Sequence, residues 1–133
     1  EIDTSINLNL ISKKSIISLQ SDREQISRVI FNLIKNSIES IQQKAEKTGN
    51  FDKIIDIEIY EKSDQIYIII IDNGSGFENF TSNLNEILKP YVTTKNNGTG
   101  LGLSIVNKII NDHNGRLNFF SIPNGAKVQI IFN

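Results

Sequence analysis

One stretch constrains this chain more than any other. Gln65-Ile66-Tyr67-Ile68-Ile69-Ile70-Ile71 is nearly unbroken apolar sequence, stops at Asp72, and is followed at once by Asn73-Gly74-Ser75-Gly76. A short, β-branched run bounded by turn residues reads as a central strand covered on both faces. Such a strand needs neighbours, and the chain offers several. Lys53 to Tyr60 alternates, with Ile55, Ile57 and Ile59 on one side and Asp56, Glu58 and Tyr60 on the other, and Ser63-Asp64 turns the chain between the two runs. Arg116 to Ile122 and Lys127 to Phe132 predict a closing hairpin around Pro123-Asn124-Gly125. Near the start, Ile6 to Ile11 and Ile16 to Leu19 read as two short strands separated by the polar Ser12-Lys13-Lys14-Ser15.

Two segments carry helical periodicity. Ile26, Val29, Ile30, Leu33, Ser37, Ile38 and Ile41 recur at helix spacing. Ser21 or Asp22 can cap that helix, Glu24 suits its first turn, and Thr48-Gly49-Asn50 stops it after about Lys47. A second helix is expected from about Gly100 to Asp112. Between the central strand and that helix lies a long polar stretch, Asn73 to Asn97, whose one helical candidate is Asn83 to Leu88. Long irregular segments inside compact domains are usually lids or binding loops.

Composition removes several function classes. With 38% hydrophobic and 22% charged residues the chain can bury a core and stay in water, and its 133 residues suit one domain spanning 1–133. A net charge of −1 gives no footprint for nucleic acid or an anionic membrane. The absence of cysteine excludes disulfides and thiolate metal sites. No apolar run approaches the ~20 residues that span a bilayer, and the start carries no signal-peptide pattern. The sequence contains no methionine and begins Glu1-Ile2-Asp3, so a domain excised from a larger protein is expected.

Four segments carry chemistry. Asn32 and Asn36, spaced i, i+4, project from one face of the first helix. An amide oxygen is a hard neutral ligand suited to Mg²⁺ that phosphates and water otherwise hold, although two asparagines on a surface helix need no function. Asp72 closes the central strand, where a carboxylate can accept a hydrogen bond from an exocyclic amine, and Gly74 and Gly76 let backbone approach a flat ring. A plain glycine-rich turn would look the same. Asn97-Gly98-Thr99-Gly100-Leu101-Gly102-Leu103-Ser104 runs into the second helix, and N–H groups at such a start form an anion site or merely cap it. Lys89 to Lys95 lies just before, and Lys95 is the nearer positive charge. No Walker pattern occurs, and Leu103 stands where GxGxxG needs its third glycine, so a dinucleotide fold is not expected.

In this order and spacing the four segments resemble the GHKL superfamily of ATPases and kinases. NLIKNSIES looks like the N box, DNGSG the first glycine box, PYVTTK the F-box region of the lid, and NGTGLGLSIV the second glycine box. The likeness spans roughly Asp22 to the C-terminus and is strongest to sensor histidine kinases of the nitrogen-regulation type, where PYVTTK, GTGLGLSIV and DHNGRL-like segments are familiar. It implies an α+β, two-layer α/β sandwich of the Bergerat ATP-binding type, with a mixed, mostly antiparallel sheet covered on one face by helices. By position, Asn36 would bind Mg²⁺, and Asn32 would support the metal and phosphates and, with Lys95, serve as the candidate catalytic group. Asp72 would read the adenine amine, and Gly74 and Gly76 would shape the base pocket. Tyr91, Thr94, Lys95, Gly98, Thr99, Gly100, Leu101, Gly102 and Leu103 would complete the ATP site under a lid from Phe77 to Asn97.

The resemblance also implies partners. The γ-phosphate would pass to a histidine on a separate phosphoacceptor and dimerisation domain of the parent kinase, and then to a response regulator. This part would be cytoplasmic, monomeric as a fragment, and without direct membrane contact, inside a membrane-anchored sensor. ATP-gate relatives carry a glutamate four residues before the metal asparagine; here that position is Asn32, which removes the general base and favours transfer over hydrolysis. The rival readings are an ATPase gate on the same fold and a nucleotide-binding interaction module without kinase activity. Some positions depart from the pattern: Leu88 stands near where the F box often has phenylalanine, with Tyr91 at the later aromatic place. Glu39 occupies a position basic in many relatives and has no assigned role. His113, the sole histidine, falls after the second glycine box and reads as a helix-end residue rather than the phosphoacceptor.

Overall fold

Asp22 starts the longest element. Its backbone is extended, its carboxylate accepts from the Gln25 N–H at 3.1 Å, and helix α1 then runs over Arg23–Thr48 until Gly49, at φ 82°, ends it. These details come from a computed structural model that describes residues 6–13, 21–76 and 102–133. The remaining elements are β1 (Ile6–Ser12), β2 (Lys53–Lys62), β3 (Gln65–Asp72), α2 (Gly102–Asp112), β4 (Arg116–Ile122) and β5 (Gly125–Phe132). The expected strand at Ile16 to Leu19, the helix at Asn83 to Leu88 and the lid lie outside the described residues.

The strands form one five-stranded sheet in the order β1-β2-β3-β5-β4. β1 runs parallel to β2, and every other pair is antiparallel, so the sheet is mixed and mostly antiparallel. Two-residue turns set the hairpin registers. Lys62 pairs with Gln65 across Ser63 and Asp64, which both take positive φ, as a type I′ turn requires. Ile122 pairs with Gly125, which moves Gly125 out of the expected turn and into β5, leaving Pro123 and Asn124 to reverse the chain.

Both helices cover the same face. Val29, Leu33 and Ile41 of α1 and Val106, Ile109 and Ile110 of α2 join Ile55 and Ile57, Ile68 and Ile70, and Val128, Ile130 and Phe132 in one apolar cluster. Strand side chains alternate in direction, so this set uses one side of each strand. Both described helices therefore lie on one side of β3. On its other side Tyr67 and Ile71 are only half-buried, Tyr67 stacks on Tyr60 with centroids 4.8 Å apart, and buried Ile69 stands between them. The helical layer also stops short of β1: Leu8 and Leu10, in register with Ile55 and Ile57, share the core-facing side yet remain exposed.

His113 joins the two helices. Its Nε2 accepts from the Asp22 N–H at 3.1 Å and its Nδ1 lies 2.8 Å from the Ile109 carbonyl oxygen, so one neutral tautomer serves both contacts. The imidazole edge also meets Phe132, with centroids 6.4 Å apart. The residue lies at the end of α2, as its place in the sequence suggested, and there clasps the two helices together. His113→Ala should destabilise the fold by about 1–2 kcal/mol, the net worth of such bonds. Urea unfolding should show a lower midpoint at an unchanged slope.

Candidate functional site

The carboxyl end of β3 meets the middle of α1, and the residues that join them are polar. Asp72 is 5% exposed, and its Oδ1 accepts from the Gly74 N–H at 2.9 Å. Burial pushes the Asp72 carboxyl above its ordinary value, opposed by the Gly74 N–H, by Ser37 and by the positive charge of Lys44. The Lys44 Nζ donates to the Asn73 carbonyl at 2.9 Å and lies 4.7 Å from the centre of the Phe51 ring.

The turn after Asp72 is fastened at several points. Asn73 extends the strand pairing, its N–H donating to the Ile54 carbonyl at 3.3 Å, its Oδ1 accepting from the Ile54 N–H at 2.9 Å, and its Nδ2 donating to the Asp52 carbonyl. The Ser75 N–H donates to the Ser40 carbonyl at 3.2 Å, and the two serine hydroxyls are 3.2 Å apart. This closeness depends on glycine: a Cβ on Gly74 would stand 2.7 Å from the Ile41 nitrogen. Gly76 takes φ +70°, and a Cβ there would meet the Gly125 carbonyl oxygen at 2.8 Å. The first glycine box is thus wedged between α1 and the start of β5.

Asn32 and Asn36 stand on the same helix, half-buried, and Asn36, whose amide nitrogen is enclosed by protein, is the direct neighbour of Ser37. The turn after Asp72 thus rests on α1 at Ser40, one helical turn past Asn36, so the helix that bears the two amides touches the strand end that bears the carboxylate. The late glycine run is described from Gly102 onward. His113 pins the end of α2, an 11-residue helix, to the start of α1. A Cβ on Gly102 would meet nothing within 4 Å, so the start of α2 is open. Tyr91, Thr94, Lys95, Gly98, Thr99, Gly100 and Leu101 lie outside the described residues.

This geometry has a counterpart among known proteins. The family described as histidine kinase-, DNA gyrase B-, and HSP90-like ATPase matches residues 21–133. The chain belongs to it. Sporulation kinase A of Bacillus subtilis is 34% identical over 98% of this chain, and the nitrogen regulation protein NtrY of Azorhizobium caulinodans is 36% identical over 82% of it. The matches cover 21% and 14% of those proteins, so the chain spans a small part of the curated relatives it resembles. Among solved structures, a nucleotide-free catalytic domain of the histidine kinase ThkA superposes with a TM-score of 0.79 at 27% identity, covering 96% of this chain and 78% of that one. The resemblance to the GHKL superfamily, and within it to nitrogen-regulation kinases, holds. No helix among the described residues is long and apolar enough to cross a membrane.

Sequence reasoning did not single out Ser37, Ser40, Lys44 or Gly125 for this ATPase-family site. Ser37 left a signal, a hydroxyl among apolar residues on the buried stripe, where it needs a partner. Lys44 and Gly125 left none, since their roles come from contacts with Asn73 and Asp72, far away in the chain. The raised pKa of Asp72 has a consequence for stability. Its contribution is fully present below the ordinary carboxylate range and is lost as pH rises through the raised value. Asp72→Asn should therefore be more stable than wild type at neutral pH, with the gain shrinking in acid, as read by denaturant unfolding at both.

Proposed function

We propose that this domain binds ATP with Mg²⁺ between α1 and the end of β3 and donates the γ-phosphate to a histidine on a separate phosphoacceptor domain, in two-component signalling. The observation that carries the reading is that the turn following buried Asp72 is bonded to α1 at Ser40, one helical turn past Asn36. It supports a base-reading carboxylate and a metal-binding amide on two elements that touch. The relatives, a sporulation kinase and a nitrogen regulation protein, agree with it.

In this reading each group has one task. Asp72 accepts the exocyclic amine of adenine, and Gly74 and Gly76 bring backbone close to the ring. Asn36 and Asn32 offer neutral oxygens on one helix face, a donor set that fits Mg²⁺ already held by phosphates. Bound there, Mg²⁺ supplies charge neutralisation across the phosphates. Lys95 and the backbone of Gly98, Thr99, Gly100, Leu101, Gly102 and Leu103 hold the triphosphate, with Tyr91 and Thr94 contributing from the segment before them. The imidazole of the partner domain attacks in line; the new N–P bond forms as the bond to the bridging oxygen breaks, and ADP leaves. Asn32 cannot serve as a base for water, so transfer is favoured over hydrolysis. A response regulator is the onward acceptor, and the domain works on the cytoplasmic side of a membrane-anchored parent.

Two experiments test this. In calorimetry, Asn36→Ala should lose most of the Mg²⁺-dependent gain in ATP affinity, tenfold or more (~1.4 kcal/mol). With γ-labelled ATP the chain alone should stay unlabelled, and label should appear on a cognate histidine domain when one is added. Strong labelling of His113, or rapid steady-state hydrolysis, would sink the kinase reading.

A further inference from the structure

Asn73 takes no part in the nucleotide reading, yet every polar group it carries is held by the fold. Its backbone N–H and its Oδ1 engage both polar groups of Ile54, and its Nδ2 donates to the Asp52 carbonyl. Its own carbonyl oxygen accepts from the Nζ of Lys44, on α1, at 2.9 Å. A lysine ammonium is ordinarily left to water. That of Lys44 stands 4.7 Å from the centre of the Phe51 ring, and Phe51 packs against the apolar cluster, so the charge has a fixed seat. The same peptide unit has a second end. The Gly74 N–H donates to Asp72 Oδ1 at 2.9 Å. Lys44, the Asn73–Gly74 peptide and the Asp72 carboxylate therefore form one chain of hydrogen bonds, 2.9 Å at each link. A carbonyl that accepts from a cation polarises its amide and makes the N–H at the other end a stronger donor. Burial disfavours the ionised form of Asp72, and the Lys44 charge opposes that burial. With Oδ1 engaged by Gly74, the remaining lone pairs of the carboxylate are left for a ligand donor.

We propose that Lys44 is a positioning residue: through the Asn73–Gly74 peptide it holds the Asp72 carboxylate ready for the exocyclic amine of a 6-aminopurine, and so contributes to the preference for adenine. The inference rests on the nucleotide reading above. An ammonium that only fastened the turn to the helix would serve every nucleotide alike. One that acts through Asp72 matters to a base that carries the amine, because a base without it leaves the carboxylate unmatched in either case.

The test uses the 133-residue chain with Lys44→Met, which keeps an unbranched stem and loses the ammonium, and with Lys44→Arg, which keeps a charged donor. Without nucleotide, NMR should show the Gly74 amide proton moving upfield in Lys44→Met, as its bond to Asp72 weakens, and staying close to its wild-type position in Lys44→Arg. Calorimetric titration then compares ATP with purine riboside triphosphate, which lacks the amine, both with Mg²⁺. Wild type should prefer ATP. Lys44→Met should lose about fivefold of that preference while its affinity for the purine riboside triphosphate stays the same, and Lys44→Arg should keep most of it. Asp72→Asn should lose the preference, and adding Lys44→Met to it should change nothing further. The role assigned to Lys44 is wrong if the Gly74 amide does not move, if Lys44→Met keeps the full preference or weakens both nucleotides equally, or if Lys44→Arg loses as much as Lys44→Met. A wild type that binds both nucleotides equally overturns the adenine reading itself, and an absence of all binding overturns the proposed function.

Discussion

The turn after β3 approaches α1 more closely than a side chain at position 74 would allow. Gly74 lies against the backbone of Ser40 and Ile41, and this lets the Ser75 N–H reach the Ser40 carbonyl. Any Cβ at 74 would push the strand end away from the helix, and with it the carboxylate. Gly76 and Gly125 repeat the arrangement on the other flank, one against the other. The site is therefore a consequence of backbone packing first and of functional side chains second.

That packing carries an electrostatic burden. Enclosing Asp72 raises its pKa, and the Gly74 N–H, the Ser37 hydroxyl and the Lys44 charge offset the burial without cancelling it. An apolar residue would give a quieter core. A strained or costly ionisable group at the end of a central strand is characteristic of binding sites, where stability is exchanged for a group poised to meet a ligand.

Local features of the sequence were enough to read the elements. The Asp22 cap and the Gly49 stop bounded α1 to within a residue or two, and Ser63-Asp64 marked the β2–β3 turn. Motif order carried the family, because Asn36, Asp72 and the glycine run have spacings that local folding alone would not demand. What stayed illegible was whatever depends on distant partners. Nothing in Gly125 announces that it must lie against Asp72, and nothing in His113 announces the N–H of Asp22, 91 residues away.

The sheet order also bears on how the chain comes together. β5 follows all other described strands in the chain but sits between β3 and β4. During synthesis, β2 and β3 can zip into a hairpin early, yet one margin of β3, rich in isoleucine, stays bare until Gly125–Phe132 has emerged and been inserted. An open margin of that kind readily recruits strands from other chains. The same insertion brings Phe132 beneath the helices, so burial of the core and protection from self-association are achieved in a single late event.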